Sequence, residues 1–188
     1  MRLAPGPRKL ALAVHLAVSV GWVGAVAAYT ALDVAAATSD DPQALRAAYI
    51  GMGWIAGSVI VPLALASLAT GLFVSLGTKW GMFHHWWVLI SLLLTTFAAA
   101  VLVIEVETIN AYAAVAGPAT TSDAELRALG STLVHSLGGT LVLLVVLVLN
   151  VFKPRGLTPY GWRRQQAERS AWLRRRPDEA SAAIEGDR

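Results

Sequence analysis

The chain has no cysteine, which excludes thiolate metal ligands, disulfides and thiol redox chemistry. Its chemistry must come from four histidines, a few carboxylates, methionine and aromatic side chains. His15 stands in an otherwise apolar run, and steps of four and three from it reach Ser19, Trp22, Val26 and Tyr29. That spacing puts polar and aromatic groups on one helix face. His84 and His85 are adjacent to Trp86 and Trp87, and His135 stands apart near Glu105 and Glu107 only if the fold brings them together. An imidazole inside an apolar helix either bonds to a neighbouring helix or ligates a metal or haem iron. Both uses stay open for His15.

These residues must be positioned by helices that cross a bilayer. The composition is 56% hydrophobic and 14% charged, far from that of a water-soluble domain. A spanning helix needs about 20 mainly apolar residues, and four stretches qualify, at about residues 10–32, 54–76, 86–106 and 133–152. The expected fold is therefore all-α, a bundle of four transmembrane helices. Residues 1–9 precede it, and a basic tail, 153–188, follows, with its last dozen residues expected to be disordered. The first stretch is too long for a secretory signal: its apolar run is about 23 residues, against about 7–15 in a signal core. It is read as uncleaved.

All but two of the 15 Lys and Arg fall on the side that carries the termini, the exceptions being Arg46 and Arg127. Basic segments are retained in the cytoplasm, so both termini are expected there. The opposite segments, about 33–53 and 107–131, hold Asp33, Asp40, Asp41, Glu107, Asp123 and Glu125 and read as short outer loops. Within them Ser39-Asp40-Asp41-Pro42 and Ser122-Asp123-Ala124-Glu125 resemble helix starts. The inner connection, 77–83, reads as a tight turn between neighbouring antiparallel helices. Small residues in the first helix, Gly53 and Gly57 at the opening of the second, and Gly138-Gly139 in the fourth suit close packing. Pro62 is expected to kink the second helix.

Depth sorts the histidines into two groups. His15 lies six residues past Lys9, about 9 Å in, in the same half as His84 and His85. Two imidazoles on the first and third helices suit the axial positions of a b-type haem, with Lys79 or an arginine available to its propionates. Copper is less favoured because only Met52 and Met82 accompany the histidines beyond the initiator. His135 begins the fourth helix at the opposite surface, where it and Glu105 form a weaker candidate metal pair. The arginines and tryptophans of the tail suit an anionic leaflet surface, although topological retention alone also explains the charge. Nucleic acid is not implied.

The run His15-Leu16-Ala17-Val18-Ser19-Val20-Gly21-Trp22-Val23-Gly24 resembles the first-helix pattern of copper-resistance D proteins and HemJ-type protoporphyrinogen oxidases. Over most of residues 10–162 the chain resembles uncharacterised predicted integral membrane proteins of actinobacteria. The matching stretches are Trp80-Gly81, His85-Trp86-Trp87-Val88 and Lys153-Pro154-Arg155-Gly156-Leu157-Thr158-Pro159-Tyr160-Gly161. That resemblance implies four helices in a bacterial cytoplasmic membrane and no particular chemistry.

Three functions compete. The first is haem binding by His15 with His84 or His85, for electron transfer or redox sensing. The second is a cofactor-free accessory or structural subunit of a membrane complex, with a membrane-protein partner. The third is a transporter for a small solute or metal, resting on Glu105, Pro62 and the polar face of the first helix. No nucleophile with an adjacent base and no phosphate-cradling loop is present, so an enzyme is not expected.

Overall fold

A computed structural model of the chain describes residues 5–77 and 82–185. Lys79, Trp80 and Gly81 lie outside the described residues. Seven α-helices follow in order: α1 (Pro5–Thr38), α2 (Pro42–Ile55), α3 (Val61–Gly77), α4 (Trp86–Ala116), α5 (Asp123–Arg127), α6 (Leu133–Phe152) and α7 (Pro159–Glu185). A π-helical turn, Ala56–Ile60, joins α2 to α3 as one 36-residue rod. Where the sequence leads one to expect a kink at Pro62, the structure has this π-helical turn: a ring without an N–H cannot close the α ladder, so the turn before it widens and Val61 bonds back to Ala56.

Four helices are long and apolar enough to cross a membrane: α1, the α2–α3 rod, α4 and α6. The fold is the expected all-α bundle. α1 packs on the α2–α3 rod and on α6, and α4 packs on the same two, so the four form a closed ring. α1 and α4 lie diagonally opposite, with no close backbone approach between them among the described residues.

The helices are unequal. α6 has 20 residues, about 30 Å, which matches the hydrocarbon thickness. α1 and α4 have 34 and 31 residues, about 51 and 47 Å, and overrun it. Much of the excess lies at the end away from the termini, where the sequence reads as loops. Those segments are mainly helical because their apolar residues keep the helical period past the first charges. Leu45, Ala48, Tyr49 and Met52 on α2 are buried together with Ile109 and Ala116 on α4.

This far end is closely packed. Asp41 caps α2, accepting the N–H of Gln43 at 3.0 Å, and Pro42 occupies the first turn. Ser122 and Glu125 form a capping box that starts α5, whose Leu126 is buried at 1% exposure beneath the lid it makes. Arg46 donates to the carbonyls of Ala116, Pro118 and Thr121, placing a cation at the C-terminal end of α4. α7 continues as helix through Glu185, into the stretch expected to be disordered. Its Ala, Glu and Arg content favours helix without a core to bury.

α2 and α4 approach closely at Gly53, where a Cβ would stand 2.6 Å from the Ala113 Cβ. At Gly21 a Cβ would meet Leu63 at an ordinary 3.5 Å. Gly53→Val is therefore expected to lower the apparent melting temperature of the detergent-purified protein, by the about 1–3 kcal/mol typical of overpacking. Gly21→Ala should leave it within a degree or two of wild type (roughly the range of a tolerated surface change). Equal melting curves for the two variants would contradict the packing described.

Candidate functional site

The inward face of α1 is polar along much of its length. Near the termini, His15 Nδ1 lies 3.0 Å from Thr70 Oγ1, and the ring rests over Gly71, where a Cβ would stand 3.0 Å from Cε1. Thr70 donates its hydroxyl hydrogen to the Ala66 carbonyl at 2.7 Å, so the imidazole is the donor to Thr70. Nε2 then keeps its lone pair. One turn further, Ser19 and Ser67 share a hydrogen bond of 2.8 Å. Beyond them Trp22 is buried, and its indole N–H has no partner among the described residues.

The same face ends in a carboxylate. Asp33 is 1% exposed, and its Oδ2 accepts hydrogen bonds from Thr132 Oγ1 and Ser136 Oγ, both at 2.8 Å. Tyr29 lies 2.8 Å from Thr132. With the Thr132 hydrogen on Asp33, the phenol donates to Thr132. Thr132 is also the N-cap of α6, so the carboxylate sits at the positive end of a 20-residue helix dipole. Nearby, Thr30 and Thr140 form a further α1–α6 link at 3.1 Å. Sequence reasoning missed this cluster by placing Asp33 in a solvated loop. The signal was available: the steps of four and three that reach Tyr29 from His15 reach Asp33 next.

The proposed metal pair is brought together, with His135 Nε2 3.6 Å from Glu105 Oε1. The two side chains are 52% and 22% exposed, so the pair is partly open. Among the described residues no three His, Asp or Glu side chains gather closely enough to hold a metal ion.

His84 and His85 belong to a stitch between the start of α4 and the segment leading into α7. Trp86 N–H donates to the Gly156 carbonyl at 3.2 Å, Thr158 N–H to the His84 carbonyl at 3.0 Å, and the Thr158 hydroxyl to the Phe83 carbonyl. His85 and Leu157 form a single antiparallel β-bridge. Gly161 packs on the His84 backbone, with no room there for a Cβ. The His84 ring meets Tyr160 edge-on, centroids 5.3 Å apart, and its Nδ1 is buried without a partner among the described residues. His15 is thus seated on α3 and His84 on the tail segment, at the edges of diagonal helices.

Burial, and after it the neighbouring Arg164 and His85, hold the His84 imidazole below its usual pKa of 6.5. The folded state therefore binds this proton less readily than the unfolded state. The stabilising contribution is complete above pH 6.5 and is lost as pH falls from there through the lowered folded value. Acidification from pH 7.5 to about 5 should loosen the tail, read as faster proteolysis within 154–175. His84→Phe, which keeps an aromatic ring against Tyr160, should flatten that pH dependence, and an unchanged profile would refute the assignment.

Asp33 is also testable. Hydrogen bonds to a charged group contribute about 1.5–3 kcal/mol each, so Asp33→Ala should destabilise the protein by more than Ser136→Ala does. Equal melting temperatures for wild type and Asp33→Ala would show that the clasp contributes nothing. Comparison of the chain with protein-family models, with curated proteins and with solved structures finds no match.

Proposed function

We propose that this chain is a cofactor-free subunit of a membrane complex, a rigid four-helix element in a bacterial cytoplasmic membrane with its termini in the cytoplasm. The observation that carries this reading is the pairing of polar groups inside the bundle. His15 bonds to Thr70, Ser19 to Ser67, and Asp33 to Thr132 and Ser136. Ionisable groups satisfied by their own chain hold helices in register and need no ligand to balance them. The closely packed far end and the long tail helix give such a subunit surfaces on both sides of the bilayer.

One observation favours a second reading. The tautomer assigned to His15, Nδ1–H donating and Nε2 free, is the one an imidazole uses to ligate iron. A b-type haem would take His15 with His84 or His85, which the first reading leaves without a metal. The chain purified from its native membrane separates the two. A featureless Soret region before and after haem addition, with a stoichiometric protein partner retained in mild detergent, supports the subunit reading. A reduced-minus-oxidised b-type spectrum that is lost in His15→Ala overturns it.

A further inference from the structure

The stitch that seats His84 also shapes a surface. Two depressions, about 620 and 350 Å³, adjoin at the start of α7 and share Trp86, Thr158 and Pro159. Leu157 and Trp162 line the larger, and Phe83 and Leu89 the smaller. Each has one arginine in its lining, Arg155 in the first and Arg163 in the second. Among the described residues neither arginine pairs with a carboxylate. Arg164, the next basic residue, is already engaged with Glu168 at 3.4 Å.

Depth decides what fits there. α6 spans about 30 Å and ends at Phe152, so residues 153–162 leave the hydrocarbon at headgroup level. Trp86 and Trp162 are about half exposed, at the level where indoles anchor at a membrane surface. An occupant must present apolar chain toward Phe83, Leu89 and Leu157 and anionic oxygen toward two guanidinium groups. Arginine meets phosphate oxygens with paired N–H donors.

We infer that this site binds one anionic phospholipid of the leaflet next to the termini. Its phosphate lies between Arg155 and Arg163, and its glycerol and upper acyl chain lie against Trp86 and Leu157. The rigid stitch of Thr158 and Gly161 onto residues 83–84 holds the two arginines to the tryptophan. The site is thus distinct from the diffuse attraction of the arginines further along α7. Arg169 is six residues beyond Arg163, about 9 Å along the helix, and Arg174 about 16 Å, both beyond the roughly 8 Å Debye length at physiological salt.

The test uses the full chain in neutral dodecyl maltoside micelles at physiological salt, titrated with dioleoyl phosphatidylglycerol or dioleoyl phosphatidylcholine and read by native mass spectrometry. The expected result is one retained phosphatidylglycerol, no retained phosphatidylcholine, and no displacement by inorganic phosphate. Arg155→Gln/Arg163→Gln should weaken retention by about 25-fold, as two basic residues at about fivefold each imply. Arg169→Gln/Arg174→Gln removes the same charge further along the helix and should retain the lipid. Trp86→Ala, which keeps every charge, should also weaken retention. Equal loss in both arginine pairs, equal retention in both, displacement by phosphate, or equal binding of the two lipids would each overturn the inference.

Discussion

A carboxylate enclosed by protein at the edge of a membrane has to be solvated by the protein itself, and Asp33 meets that demand in one place. Two hydroxyls and the N-terminal end of α6 converge on its Oδ2. Without them the group would carry the desolvation penalty of a buried charge, which amounts to several kcal/mol. The bond partners come from α6 and the carboxylate from α1, so satisfying Asp33 closes the ring between the first and last spanning helices. Lipid gives apolar helices little reason to prefer each other over acyl chains. A buried charge with a single solution supplies the preference that apolar packing lacks.

The rest of the register follows from α1. Fixed to α6 at its far end by Tyr29, Thr30 and Asp33, it is fixed to α3 near the termini by His15 and Ser19. The two sets lie 18 residues apart from His15 to Asp33, about 27 Å, or five turns of one helix. α4 is held differently, by close contact at Gly53 and by Arg46 on its last carbonyl and on that of Thr121 in the loop after it. The far end is accordingly the more tightly built. Tyr49 reaches the Gly130 carbonyl at 3.1 Å and packs edge-on against Tyr112, tying α2, α4 and the α5–α6 connection together. Near the termini the chain adds to the bonds of His15 and Ser19 a set of backbone hydrogen bonds between short segments.

The four spanning helices were legible in the sequence because hydropathy over about 20 residues is a strong signal. Their ends were not, since a hydropathy window stops at the first charges while the helix does not. Asp33, Glu105 and Glu107 each lie inside helices that continue for several more residues. The caps were legible in advance because Ser122 and Glu125, or Asp41 and Pro42, act over three or four residues. Pairing across the bundle was only partly so. Glu105 and His135 were suggested by shared depth, which four antiparallel helices impose. Asp33 with Thr132 and Ser136 was not, because the carboxylate had been assigned to solvent and its partners carry no charge to mark them.

The histidines show why residue type alone ranks sites poorly. The value of His15 depends on Thr70 and Gly71: one takes its Nδ1 hydrogen and the other leaves space for its ring. His84 depends on Tyr160 and Gly161 in the same way, and those residues lie in the exit segment, more than 70 positions away in sequence. A glycine at 161 admits the His84 backbone, and a threonine at 158 bonds to the carbonyls of residues 83 and 84. The segment is then held at one angle as it leaves the membrane. From that angle follow the lowered affinity of His84 for a proton and the placement of Arg155 and Arg163 beside Trp86. The Pro/Gly-punctuated exit, which reads in sequence as a linker, is the element that positions side chains at this end of the molecule.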